Sequence, residues 1–395
     1  MPTITDSKRI DDLLTRGVFE VIDLNHLKKK LLSGKKLRVK LGIDPTSPNL
    51  HVGRSIPILK LKDFQELGHQ VVFIVGDFTG TIGDTSDKES ERPALSDNQV
   101  KKNMKTYVDQ VGKILDIDKT EVRYNSEWLG KLDYKEICRQ ADLFSLAEFI
   151  ARKNIKQRLS AENRISLREL MYPLMQGYDS VVVKADVELG GTDQRFNLLA
   201  GREIQSFYKQ EPQDIMTNIL IDGLDGRKMS SSWGNVIDFL DSPKEMFGKV
   251  MSMADEMIIP YFEHCTRISM QRVEGFKDQL KNSKKYNPRD IKMELAYEIT
   301  RIYWGEKKAE QGKQHFISVI QNKEIPENMP EKKISSMSIT DALVKSGLAK
   351  SKGDANRLVS QGGISLNGKK ITSVDKIIQK GDIIKKGKRF FVKAV

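Results

Sequence analysis

Two short segments near the start of the chain could meet phosphate. Asp44-Pro-Thr46 and His51-Val-Gly-Arg54 bracket the point where the strand Leu37–Ile43 ends and a helix begins. Exposed N–H groups and the helix dipole favour an anion at such a place. Thr46 and His51 could donate to distal phosphates, and Gly53 leaves the backbone open to a flat ring such as a purine. The same residues also fit a plain role for Asp44 and Thr46 in capping the turn, and the segment alone does not choose. Farther along, Gly226-Arg-Lys-Met-Ser-Ser-Ser-Trp-Gly234 places Lys228 in a glycine- and serine-rich loop with Met229, Ser230, Ser231 and Ser232. A lysine there can meet charge developing on a leaving pyrophosphate; taken alone, it is simply solvated.

A second set lies between these segments. Tyr172, Gln176 and Asp179 fall at i, i+4 and i+7, one face of a helix, with Met171, Leu174 and Met175 as core. Gly190-Gly191-Thr-Asp193-Gln194 follows the strand Ala185–Leu189 and opens another helix. Asp193 could accept from a ribose hydroxyl, but residue type alone favours a helix N-cap.

The elements that must position these groups read as one sheet. Leu37–Ile43 alternates as a strand, and Ile56, Leu59, Phe64 and Leu67 carry helical spacing closed by Gly68. Val71–Val75 is a continuous apolar run. A strand, crossover helix and buried strand predict a doubly wound parallel sheet of Rossmann type, class α/β. Residues 85–165 read as a helical insertion, clearest at Asp97–Leu115 and Tyr134–Arg152, and Leu167–Tyr178 as a further helix. A helical region over 241–325 starts at Asp241-Ser-Pro243, and 322–333, with Pro326 and Pro330, reads as a linker. The expected domains are 1–225, 226–330 and a small α+β module at 335–395. In that module a helix start at Ser351 precedes Gly362-Gly363 and a hairpin turning at Asn367-Gly368.

Of the 395 residues, 38% are hydrophobic and 30% charged, which excludes a disordered chain, and no apolar run approaches the length of a membrane span. The N-terminal residues lack a secretory h-region. Cys138 and Cys265 are the only cysteines and no Cys/His cluster has ligand spacing, so a reducing cytoplasm and no structural metal are expected. The formal charge is +12. Residues 335–395 hold 13 Lys/Arg against 4 Asp and no Glu, a net +9, which points to a polyanion such as nucleic acid.

The first box resembles HIGH and the second KMSKS, the paired signatures of class I aminoacyl-tRNA synthetases. With Val187–Asn197 and the small basic module, the chain resembles the bacterial tyrosyl-tRNA synthetases over nearly its whole length. The resemblance implies that L-tyrosine is activated with MgATP and transferred to tRNA(Tyr), with Thr46, His51 and Lys228 catalytic. It implies ATP contacts from Asp44, His51, Gly53, Arg54, Gly191, Asp193, Lys228, Met229, Ser230, Ser231 and Ser232. It assigns tyrosine to Lys40, Asp84, Tyr172, Gln176, Asp179 and Gln194, with Asp179 accepting the phenolic proton. It further implies a homodimer through the insertion, and tRNA binding by the helical and basic modules.

Three positions depart from the family pattern. Arg54 replaces the last histidine of HIGH, Ser231 the second lysine of KMSKS, and Lys40 a tyrosine that touches the phenol. The competing readings are a tryptophanyl-tRNA synthetase, which shares both boxes, and a non-catalytic RNA-binding descendant of a synthetase.

Overall fold

The computed structural model describes the chain apart from residues 1, 87–94, 231–232, 283–284, 322–328 and 388–389. It forms two compact units, Met1–Lys307 and Lys308–Val395.

The first unit is built on a six-stranded sheet: β1 (Val18–Ile22), β2 (Arg38–Ile43), β3 (Gln70–Val75), β4 (Thr120–Tyr124), β5 (Val187–Gly191) and β6 (Asp214–Asn218), in the order β1-β6-β5-β2-β3-β4. All neighbours are parallel except β1 and β6. Residues 71–75 of β3 are fully buried, which is why they read as an unbroken apolar run. The chain leaves β2 toward β3 on one side and returns on the other as β5, so the order reverses between β2 and β5. Ligands bind beyond the carboxyl ends of strands at such a reversal. Asp44 follows β2 there, and Asp193 follows β5.

The Val52–Glu66 helix links β2 to β3. Gly68 ends that turn at φ +90°, and a Cβ on it would lie 2.9 Å from the Pro2 carbonyl oxygen, so only glycine fits. The insertion differs from its expected form in two ways. Its helices are shorter: Asp97–Met104 and Tyr107–Val111, then Tyr134–Ala141 and Leu146–Ala151. Ser145 starts the last of these with its own capping box to Glu148, which breaks the expected run. It also contains β4, paired with β3 at the sheet edge. All five β4 residues are half-buried, so no apolar run marked them as a strand. The helix expected over Leu167–Tyr178 is two, Leu167–Leu170 and Tyr172–Val183, with Pro173 in the first turn of the second.

The expected 225/226 boundary falls inside the first unit. Ser242 caps Pro243–Met251 as the sequence suggested, and the later helix Ile258–Cys265 packs against the Val52–Glu66 crossover helix. Arg267 makes a two-bond contact with Asp63 (2.7 and 2.9 Å), and Arg16 donates to the Phe262 and Glu263 carbonyls. Most of the expected 322–333 linker lies outside the described residues.

The second unit holds strands β7 (Glu331–Lys332), β8 (Ile364–Leu366), β9 (Lys369–Lys370), β10 (Ile383–Lys386) and β11 (Phe390–Ala394), ordered β7-β11-β10-β8-β9. Helices Ile339–Lys345 and Lys352–Ser360 complete a core that includes Ile339, Leu343, Val359, Ile364 and Ile384. Ser351 caps the second helix, and the hairpin turns at Asn367 and Gly368, both at positive φ as a type I′ turn requires. The Asn367 side chain also bonds Asp382 and the Ile383 N–H, fixing the hairpin to β10.

Candidate active site

The site begins with the loop between β2 and its helix. Side chains of the insertion hold this loop by its main chain. Asn103 donates to the Pro45 carbonyl (2.9 Å), Tyr107 to Ser47 (2.7 Å) and Gln110 to Pro48 (2.9 Å), while Gln110 Oε1 accepts from the Leu50 N–H. No local sequence pattern marks these three supports. Thr46 is half-buried, and its N–H closes a turn on the Asp44 carbonyl. The Asp44 carboxylate reaches across the strand ends, accepting from Thr79 Oγ1 (2.7 Å) and the Tyr172 hydroxyl (2.9 Å). A Cβ on Gly76 would fall 2.0 Å from Asp44 Oδ1, so this arrangement demands glycine there.

His51 takes the N-cap position without a side-chain capping bond. Burial, followed by the nearby Arg54 charge, lowers its imidazole to about 4, so the ring is neutral at pH 7. Its Nδ1 is buried and has no hydrogen-bond partner among the described residues. Arg54 itself is exposed.

The two boxes meet. Val52 N–H donates to the Ile237 carbonyl and Phe239 N–H to Leu50, each at 2.8 Å, so the segment after the second box pairs with the start of the first. A Cβ on Gly53 would lie 2.7 Å from Met229 Sδ and 3.1 Å from the His51 ring. Asn235, also unforeseen, holds the second loop. Its Oδ1 accepts from Ser230 N–H (2.8 Å), and its Nδ2 donates to Asp225 (2.9 Å) and to the Lys228 carbonyl (3.2 Å). Lys228 is exposed and bridges to Asp222 through its backbone. Ser231 and Ser232 lie outside the described residues.

Beyond the strand ends two hydrogen-bond chains run along the Tyr172–Val183 helix. One joins Asp44, Thr79, Asn125 and Asp179: Asn125 Nδ2 donates to Thr79 Oγ1 (2.9 Å) and Asp179 Oδ2 (3.3 Å). Trp128 Nε1 donates to Asp179 Oδ1 (2.8 Å). Burial pushes the Asp179 carboxyl up to about 7 despite the opposing Lys40 charge and these two donors. Burial, with Asp44 next, raises the Tyr172 phenol well above its usual value, so it stays a donor.

The second chain passes from Asp84 through Gln194 (2.6 Å), Asn197 (3.1 Å) and Gln176 (3.0 Å) to Glu188 (3.0 Å). Glu188 pairs with Lys40 at 2.9 Å. Ser86 donates to Asp84 through both its N–H and its hydroxyl, and Arg152 donates to that hydroxyl while lying over the Phe196 ring. Asp193 does not cap the next helix. Gly191 leads a 3-10 turn over Thr192–Gln194, and the helix starts at Arg195 with Gln194 before it. A Cβ on Gly191 would lie 2.3 Å from Asp193 Oδ1, so the glycine lets that carboxylate sit against the backbone. Asn125, Trp128, Asn197 and Glu188 were not singled out from the sequence, because each reaches the site from a distant element without a local pattern.

This geometry offers an acidic, hydrogen-bonding pocket for a cationic group and a hydroxyl at one end. At the other it offers a helix N-terminus, a neutral histidine and a lysine loop.

Comparison with known proteins agrees. The family model for class I tRNA synthetases (W and Y) matches residues 32–321, and a tyrosine–tRNA ligase C-terminal domain model matches 321–393. The tyrosine–tRNA ligase of Dehalococcoides mccartyi strain ATCC BAA-2266 is 47% identical over 98% of each chain. That of Thermotoga maritima is 46% identical over 96% of this chain and 95% of its own. The fold is shared with a C-terminally truncated mitochondrial tyrosyl-tRNA synthetase of Aspergillus nidulans (TM-score 0.66, 21% identity, 78% and 92% of the two chains). It is shared too with the Archaeoglobus fulgidus tyrosyl-tRNA synthetase solved with L-tyrosine (TM-score 0.62, 21% identity, 78% and 99%). With both boxes in contact and relatives matched from end to end, this chain belongs to the tyrosine–tRNA ligases of the class I tRNA synthetase family.

Proposed function

We propose that the pocket along the Tyr172–Val183 helix takes L-tyrosine and that the paired boxes take MgATP. Tyr172, Gln176 and Asp84 receive the substrate ammonium, Asp179 accepts the phenolic proton, and Gln194 steadies the amino-acid end. Asp44, Gly53, Arg54, Gly191 and Asp193 face the nucleoside. Thr46, His51 and Lys228 hold the pyrophosphate side, with Met229 and Ser230 beside them. The observation that carries this reading is the Tyr172 hydroxyl on Asp44, which joins the amino-acid face directly to the nucleotide turn.

The tyrosine carboxylate attacks the α-phosphate in line, the bond to the β-phosphate breaks, and pyrophosphate leaves with the electron pair. The terminal ribose hydroxyl of tRNA then attacks the acyl carbon and expels AMP. The first step needs no general base, since the nucleophile is already an anion, so positioning and charge stabilisation supply the catalysis. The basic second unit contributes tRNA contacts, with Lys369, Lys370, Lys376 and Lys380 exposed. Tyr134 and Leu146, exposed on the insertion, and Leu167, exposed just after it, fit a homodimer face. The setting proposed is the cytoplasm; among the described residues no helix is long and apolar enough to cross a membrane.

Exchange of labelled pyrophosphate into ATP, run with tyrosine, tryptophan and phenylalanine, tests the reading. Exchange with tyrosine alone is expected. Exchange with tryptophan would overturn the pocket, and none with any of them would overturn the adenylating site.

A further inference from the structure

Lys40 on β2 and Glu188 on β5 are direct cross-strand partners, and both side chains are about 1% exposed. A lysine ammonium has three donors. Here three acceptors surround it: Glu188 Oε1 at 2.9 Å, the Gln176 carbonyl at 2.9 Å and Ser180 Oγ at 2.7 Å. None remains for a substrate hydroxyl. Glu188 is equally engaged. Oε1 also accepts from Gln176 Nε2 (3.0 Å), while Oε2 accepts from Ser180 Oγ (3.0 Å) and from Gln213 Nε2. The pair thus grips the Tyr172–Val183 helix at Gln176 and Ser180, the residues three before and one after Asp179.

We propose that Lys40 is a positioning residue and not a tyrosine ligand: with Glu188 it forms a buried ion pair beneath the pocket that fixes the Gln176–Ser180 turn and so aims Gln176 and Asp179 at the substrate. This rests on the tyrosine pocket proposed above. It accounts for a lysine standing where the family pattern has a tyrosine.

The pair also sets the field at Asp179. The groups facing that carboxyl are Lys40 from β2, Glu188 from β5, Asn125 and Trp128 from the segment after β4, and Tyr172 on its own helix. Burial pushes Asp179 up to about 7; the Lys40 charge opposes that push and the Glu188 charge adds to it. The two partners therefore act on the carboxyl with opposite signs, as their charges require.

The test uses the full chain and the pH dependence of kcat/KM for tyrosine in pyrophosphate exchange, whose acid limb reports the free enzyme. Lys40→Met should move that limb up by about one pH unit, the scale of a neighbouring charge, and Glu188→Gln should move it down. KM for ATP should stay within about twofold in both, since neither residue bonds to the nucleotide turn. The double variant K40M/E188Q removes both charges together, a change that buried pairs tolerate. Its limb should return near that of the wild type while KM for tyrosine stays raised by about tenfold, the scale of one lost hydrogen bond.

Limbs that stay put or move the same way would overturn the proposal. So would a rise in ATP KM equal to that for tyrosine. If a single variant fails to give a cooperative thermal melt, the double variant decides alone, and an unchanged tyrosine KM in it overturns the role of the pair. Failure of the wild type itself to exchange with tyrosine would instead refute the pocket.

Discussion

Replacing Asn235 with alanine should slow adenylate formation without weakening tyrosine binding. The carboxamide is buried and ties the lysine loop to itself, accepting from the Ser230 N–H and donating to the Lys228 carbonyl on either side of Met229. Each of these main-chain bonds contributes about 1 kcal/mol net, so losing both costs the ordered loop about 2 kcal/mol. If the loop must be ordered only when pyrophosphate leaves, that cost appears in kcat, as a drop on the order of 30-fold. Gln176 and Asp179 lie on a helix with no bond to Asn235, so KM for tyrosine should stay within about twofold. Steady-state pyrophosphate exchange with each substrate varied in turn separates the two constants. A loss confined to tyrosine KM, or no loss at all, would refute the view that Asn235 holds the catalytic loop.

Other outcomes follow from the same geometry. Asp179→Ala should raise KM for tyrosine by at least about tenfold while ATP binding is kept; unchanged tyrosine kinetics would remove Asp179 from the pocket. In the unliganded protein Asp179 titrates at about 7, against ~3.9 unfolded. The folded state binds the extra proton between those values, so this contribution to stability is full below about 4 and lost as the pH rises through 7. Asp179→Asn should remove that fall, so denaturation midpoints of the two proteins should diverge with pH between about 4 and 7, and a constant difference across that range would contradict the raised value. His51 and His69, each lowered to about 4, act with the opposite sign, losing their contribution as pH falls from ~6.5, but they do so in both proteins. Deleting 335–395 should spare exchange and damage tRNA charging, with equal loss of both counting against an RNA-binding role for the module. Sedimentation at micromolar concentration should give a dimer; a monomer would leave the exposed Tyr134, Leu146 and Leu167 face without its proposed partner.

What could be read from the sequence was what repeats a local rule. The Val52–Glu66 crossover, the Tyr172/Gln176/Asp179 face and the Asn367-Gly368 turn each follow from spacing within one element. Residues that act through long-range contacts stayed hidden: Trp128 reaches Asp179 across 51 positions and Tyr107 reaches Ser47 across 60. β4 was hidden for another reason, since an edge strand with five half-buried residues has no apolar stripe to announce it. Asp193 misled in the opposite direction. An aspartate before a helix suggests a cap, but the 3-10 turn after Gly191 places it two residues short of the first helical position.

The distribution of charge explains how one crevice can sort the two ends of two substrates. At the amino-acid end, Asp84 and Asp179 are anchored by neutral donors, Gln194 and Ser86 on one and Trp128 and Asn125 on the other. Neutral donors orient a carboxylate without cancelling its attraction for an ammonium or a hydroxyl. A phenylalanine ring would leave Asp179 with buried acceptor capacity unmet, a cost that tyrosine avoids through its hydroxyl. At the nucleotide end the polarity is reversed, with a helix N-terminus and a neutral His51 whose buried Nδ1 has no partner among the described residues. In the proposed site a neutral imidazole orients a phosphate without the desolvation cost of a buried cation, and the positive charge at the leaving group is assigned to Lys228. Asp44, bonded to Tyr172 on one side and adjoining the phosphate turn on the other, joins the two ends of the proposed site, so a substitution there should raise both Michaelis constants together.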